Sequence, residues 1–252
     1  MLALLKTRLT QGNRTLAFPR QHVALPAAYR GQPALAPARC PQGCQACVEA
    51  CPTSAVQAAP LRIDLGACLF CGACADACAP GALHFTQDFR QSTTRREALT
   101  VNGQSELELA RAVSGKMRRL FGRSLKLRQV SAGGCNACEV ELNVLGTLAY
   151  DLGRFGVQFV ASPRHADGIV VTGPVTANMH RALIDTYDAM PSPRLVIAVG
   201  ACAISGGVFA GSDEVRGMPS ELPVDLFIPG CPPHPLTSLD GLLRLLGRIG
   251  KR

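Results

Sequence analysis

The second half of the chain is patterned as short apolar runs separated by longer stretches of helical period. LKLRQV at 125–130, VQFVA at 157–161, GIVVTG at 168–173, LVIAVG at 195–200 and DLFIPG at 225–230 are rich in branched residues and mostly end in Gly or another small residue. Apolar residues return every three or four positions over 139–152, 178–190 and 236–249, which predicts helices there. Strands alternating with helices predict a doubly wound α/β domain over 125–252, its parallel sheet covered on both faces. Residues 1–94 lack such runs and are rich in Pro, Arg and Cys, so they form a separate module with an N-terminal arm. Residues 95–124 join the two as a basic linker with one expected helix over 106–121. At the start of the chain, Leu2, Leu4, Leu5 and Leu9 make a helical stripe with Lys6 and Arg8 opposite. That stripe suits a membrane-arm subunit, a lipid interface or the chain's own domain.

Composition sharpens this picture in two places. The 252 residues include 12 cysteines, a number that fits disulfides in a secreted protein or metal in a reducing compartment. MLALLKTRLT has no basic region before its short apolar stretch and no cleavage site, so the chain is expected in the cytosol. No run approaches the roughly 18 apolar residues of a membrane span. Thiols in that setting stay reduced, and clustered cysteines then mean metal.

The net charge of +8 is unevenly placed, with 17 Lys/Arg against 7 Asp/Glu in residues 1–130 and 9 against 11 in 131–252. A nucleic-acid surface would interleave stacking aromatics among its basic residues. The basic stretch 90–128 holds only Phe121, so no nucleic-acid partner is expected. Metal centres built on thiolates carry negative charge, so part of the positive charge is expected to balance them. The rest is available for docking a partner or anionic headgroups.

The first eight cysteines form an internal repeat at an offset of 27 residues. Cys44-Gln-Ala-Cys47-Val-Glu-Ala-Cys51 aligns with Cys71-Gly-Ala-Cys74-Ala-Asp-Ala-Cys78, and each half adds an earlier cysteine, Cys40 or Cys68. A cubane cluster needs four thiolates a few ångströms apart, and a tight loop with cysteines every third residue supplies three. The fourth comes from the other run in two-cluster ferredoxins. This assigns one 4Fe-4S cluster to Cys40, Cys44, Cys47 and Cys78, and a second to Cys51, Cys68, Cys71 and Cys74. Structural zinc would instead favour two cysteine pairs separated by a finger-length loop. The three-residue gap after Cys40, and Ala79 standing between Cys78 and Pro80, depart from the pattern.

The last four cysteines follow predicted strands: Cys135 and Cys138 after LKLRQV, Cys202 after LVIAVG, Cys231 after DLFIPG. Ligands of open α/β sheets bind beyond the carboxyl ends of strands, so three strand ends can gather four thiolates around a third 4Fe-4S cluster. Taken singly, the C-x2-C pair could be a redox dithiol and Cys202 a core thiol.

GGCNACEVEL, VTGPVT, GACAISGGVF and IPGCPPHP resemble the small subunit of group 4 NiFe hydrogenases, formate hydrogenlyase included, and its relative, the 20-kDa subunit of respiratory complex I. RGQP at 30–33, the eight cysteines and LLKTRLTQGNRT resemble the ferredoxin-type (8Fe-8S) partner subunit, so the chain looks like a fusion. The resemblance implies an α+β ferredoxin-like module followed by a flavodoxin-like α/β domain. It implies electron relay to or from a NiFe-type large subunit, with no activity in the isolated chain. Other hydrophilic and membrane-arm subunits would hold it on the cytoplasmic face of the inner membrane. Asn136-Ala137 between Cys135 and Cys138 is similar to the hydrogenase branch, whereas complex I subunits place two cysteines side by side. The alternative is a complex I-like NADH/quinone oxidoreductase without nickel. His234 stands where many relatives have Arg. Glu139 and Glu141 open a helix beside the third cysteine group, as favourable charge at a helix N-terminus or as part of a proton path.

Overall fold

The computed structural model describes residues 2–250. Helix α1 (Leu2–Gln11) carries its leucines in solvent and buries none of its side chains. The arm that follows crosses to the C-terminal half. There the Leu16 amide donates to the Ala149 carbonyl at 2.8 Å, and Arg154 donates to the carbonyls of Leu16 and Phe18.

The cysteine-rich module is small and duplicated. In chain order it contains β1 (Pro33–Leu35), α2 (Ala46–Glu49), β2 (Val56–Ala58), β3 (Leu61–Asp64), α3 (Ala73–Asp76), β4 (Leu83–Phe85) and β5 (Thr100–Val101). The pairs α2–β2 and α3–β4 stand at the same 27-residue offset as the cysteine repeat. β1 pairs with β4, while β2, β3 and β5 form a second antiparallel sheet. Between them lies a core of Val56, Ile63, Leu65, Leu83 and Leu99, to which several cysteines also belong. With so few apolar residues, metal binding would supply a large share of this module's stability.

The joining segment differs from its expected form. Thr100–Val101 is a strand of the module, pairing with β3, and the helix is confined to α4 (Gly115–Phe121). The hydroxyl of Ser114 accepts the Met117 amide at 3.4 Å, which starts the helix there instead of at 106. The residues before it are tied by backbone bonds from Ala110 to Ser92 and from Val113 to Leu245.

The second half follows its sequence pattern closely, through β6 (Leu125–Ser131), α5 (Ala137–Val144), β7 (Val157–Phe159), β8 (Gly168–Thr172), α6 (Ala177–Asp188), β9 (Leu195–Val199), α7 (Gly200–Ser205), β10 (Leu226–Ile228) and α8 (Pro235–Leu245). All neighbouring strands are parallel, in the order β7-β6-β8-β9-β10. Counted within the domain this is the order 2-1-3-4-5, with the switch point between β6 and β8. Val170, Ile197 and Leu226 face α5 and α8, whereas Ile169, Val171 and Val196 face α6. Each fully buried Leu, Ile or Val contributes about 1.5–3 kcal/mol, which explains the near-continuous apolar strands. α5 is shorter than the expected 139–152, ending where Gly146 bonds back to Asn143 and the chain turns.

The two halves meet along β10. Thr93 and Phe227 exchange backbone hydrogen bonds at 3.0 and 2.8 Å, adding an antiparallel bridge beyond the sheet's last strand. Ile204 and Phe227 pack into the core of the cysteine-rich module. The buried Ser92 hydroxyl donates to the Thr237 carbonyl of α8.

Candidate metal centres

Three helices begin inside a Cys-x-Ala-Cys loop, at Ala46, Ala73 and Ala137, so the second cysteine of each loop sits in a first helical turn. Gly72 and Asn136 take left-handed backbone at the residue after the first cysteine, with φ of 88° and 70°. Gly and Asn are the residues that tolerate that conformation.

The structure gathers the twelve cysteines as three quartets. Cys40, Cys44, Cys47 and Cys78 line one recess together with Leu61 and Pro80. Burial, then the charge of Cys40, Cys78 and Cys44, raises Cys47 above a free thiol. Cys68 is pushed up to about 12, by burial first and then by Cys74, Cys51 and Cys71. Cys138 is also pushed up to about 12, by burial, by Glu139 and by Cys202, Cys231 and Cys135. Cys51 thus stands with the second run and Cys78 with the first. Backbone amides already point at sulfur, Ala55 at Cys51 (3.2 Å) and Phe70 at Cys68 (3.3 Å).

The third quartet lies at the carboxyl ends of β6, β9 and β10, beside the topological switch point. Its surroundings are cut to the sulfurs. A Cβ on Gly200 would lie 2.6 Å from the Cys138 sulfur, and one on Gly207 would lie 2.9 Å from that of Cys202. Cys135 and Cys231 reach the surface, and Val140 of α5, with Val208 and Phe209 in the turn after α7, are exposed apolar residues on the segments that carry Cys138 and follow Cys202. Cys71 is also exposed, and its charge contributes to raising Cys231. The second and third quartets are therefore neighbours across the seam between the halves. Among the described residues, no three His, Cys, Asp or Glu side chains converge as a single metal ion requires. All-thiol quartets, each with at least one cysteine raised by burial and the second with two amides aimed at sulfur, fit a cofactor that supplies several cationic irons.

Glu139 is more than a charge at a helix start. It is 5% exposed and accepts the Thr172 hydroxyl at 2.6 Å, which pins α5 to β8. Burial alone would raise this carboxyl, but Ser131, Thr172 and its own amide outweigh that and hold it below its ordinary value. Glu141 is raised by burial. His234 caps α8 by accepting the Leu236 amide at 3.1 Å, and its ring meets Tyr29 edge-on at 5.3 Å. Arg30 of the RGQP segment lies against Gly72. The sequence held no sign of the contacts made by Tyr29, Ile204 and Phe227, because burial between distant segments leaves no local motif.

An all-parallel α/β sheet with four thiols at its strand ends defines the class. The family described as NADH ubiquinone oxidoreductase, 20 Kd subunit, matches residues 135–245. The chain belongs to this family. It is 48% identical over 118 residues to an NADH-quinone oxidoreductase subunit of Geotalea uraniireducens, covering 47% of this chain and 69% of the relative. It is 42% identical over 134 residues to a probable membrane-bound hydrogenase subunit of Pyrococcus furiosus, covering 53% and 80%. Among solved structures, a chain of the membrane-bound sulfane sulfur reductase, an archaeal respiratory membrane complex, is 33% identical with a TM-score of 0.46. That match covers 52% of this chain and 73% of the other. The relatives are subunits of oxidoreductase complexes, which makes this chain an oxidoreductase component. No helix among the described residues is long and apolar enough to cross a membrane.

Proposed function

We propose that the chain is the iron–sulfur relay subunit of a hydrogenase- or complex I-type oxidoreductase, with three 4Fe-4S sites. Cys40, Cys44, Cys47 and Cys78 would hold one, Cys51, Cys68, Cys71 and Cys74 the next, and Cys135, Cys138, Cys202 and Cys231 the third. The observation that carries this reading is the gathering of Cys135, Cys138, Cys202 and Cys231 at the strand ends of a domain that packs on the cysteine-rich module through Ile204 and Phe227. When bound, each cluster supplies one-electron chemistry. The protein's part is to fix the sites in a row: Ile204 and Phe227 clamp the halves, and Gly200 and Gly207 let backbone approach sulfur. The exposed Val140, Val208 and Phe209, on segments next to the third quartet in the chain, suit a large subunit docking over the strand ends.

The C-x2-C spacing at Cys135 favours a NiFe-type large subunit, with hydrogen evolution or uptake as the reaction. The relatives named as quinone oxidoreductase subunits favour the second reading, a complex I-like assembly without nickel. One experiment tests the relay itself. The anaerobically reconstituted chain should hold about twelve iron and twelve acid-labile sulfide. Cys231→Ser in the assembled complex should abolish turnover while the two module clusters stay reducible by a small-molecule donor. A zinc-replete, iron-free native chain, or near-normal turnover in Cys231→Ser, would overturn the proposal.

A further inference from the structure

α8 starts at Pro235, capped by His234 close to Cys231 in the chain, and its 11 residues span about 16 Å away from the third quartet. At its far end, near the amino ends of the strands, the arm, the 87–90 segment and the chain after α8 line a half-open cavity of about 670 Å³. It touches no cysteine quartet, and its volume falls in the range of small-molecule sites.

The walls divide into two kinds. Phe18 and Phe89, packed edge to face at 5.7 Å, form an apolar side with Leu25 and Ile249. The charged side holds four arginines, two of which are already matched. Arg90 forks onto Asp88 at 2.8 and 2.6 Å, and the buried Arg244 forks onto the buried Asp240 at 2.7 and 3.3 Å. The other two are not. Arg248 donates to the Gly122 carbonyl, and neither it nor Arg20 pairs with a carboxylate among the described residues. The cavity thus offers an apolar wall and two guanidinium groups that have no carboxylate partner among the described residues.

We propose that this cavity binds an acyl chain with an anionic head, the chain against Phe18, Leu25, Phe89 and Ile249, the head between Arg20 and Arg248. The apolar wall gains by leaving water, and guanidinium groups bind carboxylate or phosphate through charge-assisted hydrogen bonds. The ligand would tie together three segments distant in sequence, so binding also raises the unfolding temperature.

Calorimetric titration of the reconstituted full chain tests this with decanoate, acetate and uncharged decyl maltoside. Decanoate should saturate one site, with acetate and decyl maltoside at least about tenfold weaker. Arg20→Gln and Arg248→Gln should each weaken decanoate roughly tenfold. The Arg20 side chain is exposed and makes no hydrogen bond among the described residues, so its variant folds and keeps the test decisive if Arg248→Gln destabilises the chain. Cosedimentation with phosphatidylglycerol vesicles that decanoate competes away assigns the ligand to a bilayer lipid. Decanoate binding without cosedimentation assigns it to a free long-chain carboxylate. Decyl maltoside binding as tightly as decanoate, undiminished binding to the arginine variants, or no binding at all overturns the proposal.

Discussion

Cys68 and Cys138 rise to about 12, and Cys74 and Cys202 to about 11, from an ordinary 9.0, with burial the largest cause at each. In the metal-free protein these thiols keep their protons at a pH where the unfolded chain has lost them. The unfolded state then binds fewer protons, so stability falls as pH climbs past 9.0. Urea midpoints of the metal-free chain should drop above that pH. The reconstituted chain, whose cysteines are thiolates already, should show no such drop, and equal behaviour of the two forms would refute the assignment. Gly200 gives a second test. Its φ of +88° costs a non-glycine residue about 1–3 kcal/mol, and the added methyl would meet the Cys138 sulfur. Gly200→Ala should therefore lose the iron of the third site before that of the others, as iron analysis and EPR would record. The cysteines themselves were legible in the sequence, since residue type and spacing carry their chemistry. Glu139 was singled out as well, but not its burial or its bond to Thr172, because that contact depends on a hydroxyl on another strand.

At the scale of elements, the same short device appears three times, a Cys-x-Ala-Cys loop running into a helix. The 27-residue repeat of α2–β2 and α3–β4 places the last cysteine of each run beside the other quartet. Cys51→Ser is therefore expected to alter the EPR signal of the site held by Cys68, Cys71 and Cys74. Loss of the signal belonging to Cys40, Cys44 and Cys47 instead would show the pairing to be uncrossed. Strand positions in the second half were readable because a doubly covered parallel strand leaves a continuous apolar run. Helix ends were less so. α4 starts later than its periodic pattern because Ser114 caps it, and α5 stops short because a turn at Gly146 ends it. β5 went unseen in the sequence: two residues carry no period, and only pairing with β3 makes them a strand.

On the scale of the whole molecule, the parallel sheet of the second half was readable from the pattern of apolar runs, whereas its grip on the cysteine-rich segment was not. The grip comes from residues that look ordinary in sequence, Thr93, Ile204 and Phe227 among them. The arm adds a second hold, since Leu16 and Phe18 lie on the C-terminal half while β1, further along the same segment, belongs to the N-terminal module. The chain thus visits the second half, returns to the first, and crosses again after β5. A protease that cuts the exposed turn at 103–105 severs one crossing and leaves the other intact. The nicked protein should migrate as a single species in gel filtration and as two bands in a denaturing gel. Two genes encoding the fragments on either side of that turn should, by the same token, yield chains that find each other when expressed together.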